Sequence, residues 1–181
     1  LRLLVQHQMT VKRSSNMTEL TLELVNKLFS YDDKTGDLIR KVTVGPRGKA
    51  GKVAGGLNSK GYVYVEIKGV SYLAHRIVFL MHHGYLPKCL DHVDNNRSNN
   101  HIENLRPATV SQNNHNADQR SNNTSGVKGV SQYGRNGKWR AVIMVDGKSH
   151  YIGGFTDKAV AETAVRKARE ELHGTFVNHG V

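Results

Sequence analysis

A polar, turn-rich segment at residues 117–124, Ala-Asp-Gln-Arg-Ser-Asn-Asn-Thr, interrupts this chain of 181 residues. Segments of this composition cannot add to a packed core and commonly connect domains. Only 38% of the residues are apolar and 7% aromatic, which favours several small modules over one large core. We therefore predict a linker at 117–124 between one domain at 17–116 and a second at 125–181.

The chain is strongly basic, with 26 Lys and Arg against 15 Asp and Glu and a net charge of +11. Residues 61–120 carry only +1, whereas 21–60 and 121–181 carry +4 each. This excess predicts a polyanionic partner, most commonly DNA or RNA. An anionic membrane is the alternative, but no stretch approaches the roughly 18 apolar residues that a span needs. A near-neutral centre between basic arms is typical of a protein with central acidic ligands and flanking phosphate contacts.

The single cysteine, Cys89, excludes an internal disulfide and any zinc site built from several cysteines. A lone thiol is typical of the reducing cytoplasm, which is the predicted location. The opening residues 1–5 are shorter than the apolar core of about 7–15 residues in a signal peptide. Met17 is a natural start, and residues 1–16 are therefore expected to be a disordered extension or a remnant of expression.

The first domain has the pattern of an α+β unit. Apolar residues at helical spacing predict a helix over 21–29, followed by a turn at 32–36 and a strand over 37–43. Six glycines and several cations make 44–61 a flexible basic loop. Alternation then predicts a hairpin with strands at 62–67 and 71–74. A helix over 75–83 is expected to end at Gly84.

Residues 90–116 are dense in Asn, His and Asp. We predict a strand with Asp91 and His92, a loop, a second strand with Asn104, and a helix from about Thr109 that carries Asn113. Such a fold can bring a carboxylate and an amide oxygen to one hard cation, Mg²⁺ or Mn²⁺, with an imidazole beside it. An imidazole can accept a proton from water near neutral pH. Strand neighbours point to opposite faces, so Asp91 and His92 can share one phosphate only at a bulge or strand end.

Other interpretations of these polar residues stay open. The asparagines could merely satisfy backbone groups in a turn. Asp94 is either a loop cap or a metal ligand, and Arg106 either grips a phosphate or pairs with Glu103. Among the histidines, His75, His82 and His83 are interpreted as structural residues, and His101 and His115 as exposed residues or DNA contacts.

The spaced elements Asp91-His92-x-Asp94, Asn104-Leu-Arg, Thr109 and Gln112-Asn113 resemble the HNH motif of phage homing endonucleases. The likeness extends over about 31–116. It implies a ββα-metal fold in which Asp91 and Asn113 hold one divalent metal and His92 is the general base. It further implies that Asn104 braces the hairpin and orients His92. The implied substrate is double-stranded DNA, cut to 5′-phosphate and 3′-hydroxyl ends.

The second domain is predicted to be a three-stranded sheet backed by one helix. Strands are expected from about 125–130, at 139–145 and at 149–155, with a tight turn at Asp146-Gly147. Trp139 is interpreted as a core residue. The apolar stripe of the helix is predicted to comprise Ala159, Ala161, Ala164, Val165, Ala168 and Leu172. The open face of the sheet is expected to carry Lys128, Arg140 and Tyr151.

The motifs Gly-Val-x-Gly-Val, Gly-Lys-Trp-Arg-Ala and Tyr-Ile-Gly-Gly-Phe resemble the DNA-binding domain of plant ethylene-response factors. The likeness covers about 124–176 and implies a sheet that enters the major groove. Ser131, Met144 and Ser149 stand where that family places its groove-reading arginines.

Taken as a whole, the sequence predicts an α+β DNA endonuclease with two modules and no evident protein partner. We expect the first module to cut DNA without the second. The residues predicted to contact DNA are Arg47, Lys49, Lys52, Arg106, Lys128, Arg140 and Tyr151. The rival hypotheses are a non-catalytic DNA-binding regulator and, more weakly, an RNA-processing nuclease, although nothing resembles an RNA-reading aromatic platform.

Overall fold

The structure is a computed structural model that describes residues 19–134 and 137–180. The extension predicted at 1–16 lies outside the described residues. The helices are α1 (Leu22–Leu28), α2 (Ala74–His83), α3 (Val110–Asn116) and α4 (Lys158–His173). The strands are β1 (Phe29–Asp32), β2 (Asp37–Arg40), β3 (Gly56–Leu57), β4 (Val63–Ile67), β5 (Val70–Leu73), β6 (Cys89–His92), β7 (Leu105–Ala108), β8 (Val130–Tyr133), β9 (Lys138–Val145) and β10 (Lys148–Phe155).

The first module packs α1 and α2 against small antiparallel sheets, β1-β2 and β3-β4-β5. The predicted hairpin is confirmed as β4 and β5, and the predicted helix as α2, which ends on Gly84 in the left-handed conformation. The helix predicted over 21–29 ends one residue early, because the fully buried Phe29 is extended and begins β1. The next strand ends at Arg40 rather than at 43. The shared core is apolar and centres on Val25, Phe29, Val65, Ile77 and Val78.

A hairpin and a helix follow α2 and form a ββα unit. Strands β6 and β7 pair antiparallel in regular register, with His92 opposite Leu105 and Cys89 opposite Ala108. Thr109 caps α3: its side chain accepts from the Gln112 backbone, and the Gln112 side chain accepts from the Thr109 backbone. This reciprocal capping box fixes where α3 begins, and hence which of its asparagines face the hairpin.

The second module is a three-stranded sheet with one helix, as predicted, but its first strand is Val130–Tyr133 rather than about 125–130. The strands run in the order β10-β9-β8, and α4 packs on one face of the sheet. Asp146 and Gly147 both have positive φ, as the tight turn between β9 and β10 requires. Trp139 packs against the module's apolar cluster of Val127, Val130, Ala141, Ala161 and Val165, which confirms its core assignment.

The predicted apolar stripe of α4 is partly wrong. Ala161 and Val165 are buried, but Ala159 is exposed and Leu172 is 44% exposed. The buried face continues instead through Arg169 and His173, four residues apart. Both polar side chains find backbone partners there, since Arg169 donates to the Lys128 carbonyl and His173 Nε2 bonds the Met144 carbonyl. Periodicity in apolar residues alone cannot reveal a face completed by polar ones.

The two modules contact each other directly. The rings of His115 on α3 and His173 on α4 stack with centroids 3.7 Å apart and planes within 2°. The prediction that His115 is exposed is therefore wrong, because α4 covers it. Asn178 Nδ2 donates to the Asn116 carbonyl at 2.6 Å. Within the described ranges, no helix is both long and apolar enough to cross a membrane.

Candidate active site

The Asp91 carboxylate lies in the interior, between the hairpin and α3. It is only 4% exposed. Two nitrogens of Arg106, Nε and Nη2, each lie 2.8 Å from its Oδ2. Asn116 Nδ2 lies 3.1 Å from both carboxylate oxygens and 2.8 Å from the His92 carbonyl. Arg106 thus pairs with Asp91, and neither a phosphate contact nor an ion pair with Glu103 is needed to explain its position.

His92 ends β6 and is buried on the opposite side of the hairpin. Its Nε2 lies 3.3 Å from Asn100 Oδ1, and its ring meets that of His75 edge-on at 4.9 Å between centroids. Burial lowers the pKa of His92, while the bond to Asn100 and the nearby carboxylates oppose that shift. The imidazole is therefore held neutral. If Nε2 donates to Asn100, Nδ1 keeps its lone pair for a proton.

The regular β6–β7 register contains no bulge at Asp91 and His92. The strand simply ends at His92, which is the other arrangement that sequence reasoning allowed. Their side chains accordingly have separate surroundings. The Asp91 carboxylate contacts Arg106 and Asn116. The His92 ring contacts His75, Tyr62 and Asn100. A phosphate that contacts both Asp91 and His92 must therefore lie at the end of β6.

Asn104 braces the loop that joins β6 to β7. It closes the 3-10 turn Ile102–Asn104 just before β7, rather than lying on the strand as predicted. Its Nδ2 donates to Asp94 Oδ1 at 2.8 Å and to the Asn99 carbonyl at 2.9 Å, and its Oδ1 accepts from the Asp94 backbone at 3.0 Å. The loop it closes contains Asn100, so Asn104 acts on His92 through the loop.

Asp94 caps the same loop. Burial alone would raise its pKa, but hydrogen bonds from the Asn99 and Asn104 side chains and the Asn96 backbone hold that pKa below its usual value. Both carboxylate oxygens are engaged by these partners. This geometry favours the loop-capping interpretation of Asp94 over the metal-ligand one.

Asn113 and Asn116 lie three residues apart on α3, so they share one side of the helix. Asn116 contacts Asp91, whereas the side chain of the partly exposed Asn113 makes no hydrogen bond to the described part of the chain. Sequence reasoning missed Asn116. The spacing from Asn113 is the one signal for it, and that signal is weak in a segment with three asparagines.

The two ligands predicted from the sequence, the Asp91 carboxylate and the Asn113 amide, are of the kind that a hard divalent cation prefers. Asp91 Oδ1 accepts only from Asn116 among the described residues, and carboxylate and amide oxygens are ligands that Mg²⁺ and Mn²⁺ prefer. No group of three or more His, Cys, Asp or Glu side chains gathers in the described ranges. A cation held by one carboxylate and one amide would take its other ligands from water and phosphate, which is usual for Mg²⁺.

The residues predicted to contact DNA differ in whether their side chains are exposed and available to a phosphate. Arg47, Lys49 and Lys52 are exposed on the glycine-rich loop, and Arg140 and Tyr151 on the second module. Lys128 is not on the open face of the sheet as predicted. It precedes β8, and its Nζ donates to the carbonyls of His115, Ala117 and Asn178. Burial lowers the pKa of Lys128 to about 8.

His75, His82 and His83 pack against aromatic rings, as a structural role requires. His75 Nδ1 is buried without a hydrogen-bond partner among the described residues, and burial lowers the pKa of His75 to about 3. A neutral His75 beside His92 keeps that part of the site uncharged.

Comparison with known proteins gives a consistent result. The HNH endonuclease family profile matches residues 72–115, which contain α2, β6, β7 and all of α3 except Asn116. Protein 3.8 of Escherichia phage T7 is 35% identical over 97 residues, 51% of this chain and 78% of that protein. An uncharacterized HNH endonuclease of Acanthamoeba polyphaga mimivirus is 33% identical over 105 residues, 56% of this chain and 54% of that protein.

No solved structure matches the chain significantly. The family match ends at residue 115, so the likeness of the second module to ethylene-response-factor domains rests on its motifs alone. The matched segment contains Asp91, His92, Asn104 and Asn113. The chain belongs to the HNH endonuclease family.

Proposed function

We propose that this protein is a metal-dependent endonuclease that hydrolyses phosphodiester bonds in double-stranded DNA. The observation that carries the proposal is the pair Asp91 and His92, both buried at the end of β6 within the segment that matches HNH endonucleases. The net charge of +11 suits a polyanionic substrate. The exposed cations of the glycine-rich loop suit phosphate contacts on the duplex.

The roles of the residues follow from their chemistry. His92, held neutral by burial, takes a proton from the attacking water. The resulting hydroxide attacks phosphorus, the bond from phosphorus to the 3′ oxygen breaks, and that oxygen takes a proton from water. Asp91 and Asn113 would hold one Mg²⁺ or Mn²⁺, whose chemistry is to offset charge on the leaving oxygen. The products carry 5′-phosphate and 3′-hydroxyl ends.

Asn104 and Asn116 act as positioning residues in this scheme. Asn104 fixes the loop that brings Asn100 to His92. Asn116 ties the Asp91 carboxylate to the His92 backbone through one amide group. Together they keep the metal ligand and the base in a fixed relation, which a reaction dependent on close alignment requires.

The second module would add affinity for the duplex. Arg140 and Tyr151 lie on the sheet face opposite α4, and Tyr151 is 64% exposed. A sheet face of this kind can lie in a major groove or along the backbone. We leave Lys128 out of this contact because three backbone carbonyls already occupy its ammonium group.

Supercoiled plasmid incubated with the full chain and Mg²⁺ tests the proposal. We expect nicked or linear products that Mn²⁺ also supports and that a chelator suppresses. Labelling of the product ends should find 5′-phosphates. Single-stranded RNA of equal length serves as the competing substrate. Binding of the plasmid without any cleavage would instead support a non-catalytic regulator, and faster cleavage of RNA would support an RNA-processing enzyme.

A further inference from the structure

Arg106 joins the candidate metal ligand to the C-terminal end of the described chain. Its Nε and Nη2 hold Asp91 Oδ2, while its Nη1 donates to the Thr175 carbonyl at 2.7 Å. The guanidinium carbon lies 3.7 Å from the centroid of the Phe176 ring. One side chain therefore makes an ion pair, a backbone hydrogen bond and a cation–π contact at once.

The segment that supplies these contacts is itself fixed in place. Phe176 is buried in the 3-10 turn Gly174–Phe176 that follows α4. Two residues later, Asn178 donates to the Asn116 carbonyl, and its own carbonyl accepts from Lys128. The segment 174–178 is thus anchored to α3 from the side of the second module, and Phe176 cannot move without disturbing that anchor.

The charge of Arg106 bears directly on cation binding at Asp91. The Arg106 side chain is 20% exposed and the Asp91 side chain 4%, so water screens the pair only weakly. A guanidinium on Oδ2 neutralises the carboxylate and repels any divalent cation that approaches Oδ1. Removing one partner of a buried pair leaves an uncompensated charge, which is costly until a proton or another cation binds in its place.

We propose that Arg106 is the resident counter-cation of Asp91 in the free protein, and that Phe176 is a positioning residue that holds it there. The proposal rests on the proposed function, because it takes Asp91 as the metal ligand. The C-terminal segment thereby keeps the free protein in a state of low metal affinity. A metal at Asp91 releases the guanidinium, which can then pair with a DNA phosphate, the contact predicted for Arg106 from the sequence.

A mutant cycle on metal affinity in the full chain, without DNA, tests this idea. Mn²⁺ binding is measured by titration with electron paramagnetic resonance for wild type, Arg106→Gln, Phe176→Leu and the double variant. Arg106→Gln should tighten Mn²⁺ binding about tenfold, within the roughly 5–150-fold range usual for coupled equilibria. Phe176→Leu keeps the apolar volume but loses the ring, and should tighten binding about threefold through loss of one cation–π contact.

The double variant separates a positioning role from a merely structural one. If Phe176 acts through Arg106, the double variant binds Mn²⁺ as Arg106→Gln does. Phe176→Tyr keeps the ring and should bind Mn²⁺ like wild type. The proposal is overturned if Phe176→Leu shifts the affinity equally in both backgrounds, or if it has no effect while Arg106→Gln does. It is also overturned if Arg106→Gln weakens Mn²⁺ binding or leaves it unchanged.

The plasmid assay distinguishes this failure from failure of the proposed function. If wild type cuts DNA but any of the overturning results is found, the role proposed for Phe176 and Arg106 is rejected and the proposed function stands. If wild type does not cut and no variant binds Mn²⁺, both proposals are wrong.

Discussion

The ββα unit buries more polar side chains at its centre than the second module, where buried polar groups such as Arg169 and His173 lie beside an apolar cluster. The interior of the ββα unit contains Asp91, His92, Asn100 and Asn116, which hydrogen bonds join in pairs, and Asn104, which bonds Asp94 and Asn99 of the connecting loop. The second module is built on the apolar cluster around Ala141, Ala161 and Val165. Buried polar groups are costly unless paired, so a polar interior is more typical of a functional site than of an ordinary core.

Two polar residues allow this contrast to be tested. The side chain of Asn104 in the ββα unit makes three hydrogen bonds, one of them to a carboxylate. Ser125 in the second module bonds the Val130 carbonyl at 2.7 Å and accepts from the Val127 backbone at 3.1 Å. Asn104→Ala should lower the free energy of unfolding by about 3 kcal/mol, and Ser125→Ala by about 1–2 kcal/mol.

The two variants should differ in activity as well as in stability. Cleavage at a temperature where both variants are folded should fall by more than about tenfold in Asn104→Ala, because the loop that positions Asn100 is lost. Ser125→Ala should cut at nearly the wild-type rate. Chemical denaturation and single-turnover cleavage together check this. Equal losses of activity in both variants would mean that the polar interior serves stability alone.

A second prediction concerns the contact between the modules. Burial is the main cause that lowers the pKa of His173 to about 4, and it also lowers that of His115. His173 Nδ1 is buried without a partner in the described part of the chain, so a proton there finds no acceptor. Because the folded pKa lies below the unfolded value of about 6.5, the unfolded chain binds more protons as the pH falls from 6.5 towards 4. We expect His173 alone to make the free energy of unfolding about 1–2 kcal/mol lower at pH 5 than at pH 7.5.

His173→Phe provides the matched comparison for this pH effect. The ring can still stack on His115, but it cannot be protonated. Denaturation at several pH values should therefore give a shallower dependence in His173→Phe than in wild type, whatever its absolute stability. An unchanged slope would assign the pH dependence to other groups, of which the buried His75 is the first candidate, since burial lowers its pKa to about 3.

The smallest expected effect lies on the open face of the second module. Arg140→Ala should flatten the dependence of log affinity for duplex DNA on log salt by about 0.9 if Arg140 contacts one phosphate. Lys167→Ala removes the same charge from the exposed side of α4 and should leave the slope unchanged. Fluorescence anisotropy at several salt concentrations measures both. Equal slopes for the two variants would indicate that this face is not a DNA contact.

The sequence predicted much of the ββα unit because its signals are local. The dense motif from Asp91 to Asn113 placed two strands and a helix close to their observed positions, and the alternation at 62–67 predicted β4. The motif's residue identities also indicated the HNH family, and the family match over residues 72–115 confirms that prediction. Because the polar residues of this short segment have fixed spacings, few other folds could bring them together.

The contacts between the modules could not be predicted in the same way. Arg106 pairs with Asp91 only because β6 and β7 align them, and it meets Phe176 only because the chain after α4 returns to α3. Arg169 and His173 continue an apolar face with polar groups. These pairings join residues that are far apart in the sequence; Arg106 and Thr175, for example, are 69 positions apart. A single sequence holds no local signal for such contacts. The expectation that residues 17–116 cut DNA without the second module stays a prediction.

Single-turnover cleavage of duplex DNA by His92→Ala tests the central assignment most directly. His150→Ala is the matched control, because His150 is an exposed histidine on β10. With Mg²⁺ and saturating protein, His92→Ala should cut about 10²–10⁴-fold more slowly than wild type, the usual cost of losing a general base. DNA affinity should be nearly unchanged, and His150→Ala should cut at the wild-type rate. Cleavage by His92→Ala at the wild-type rate would contradict the assignment of His92 as the base.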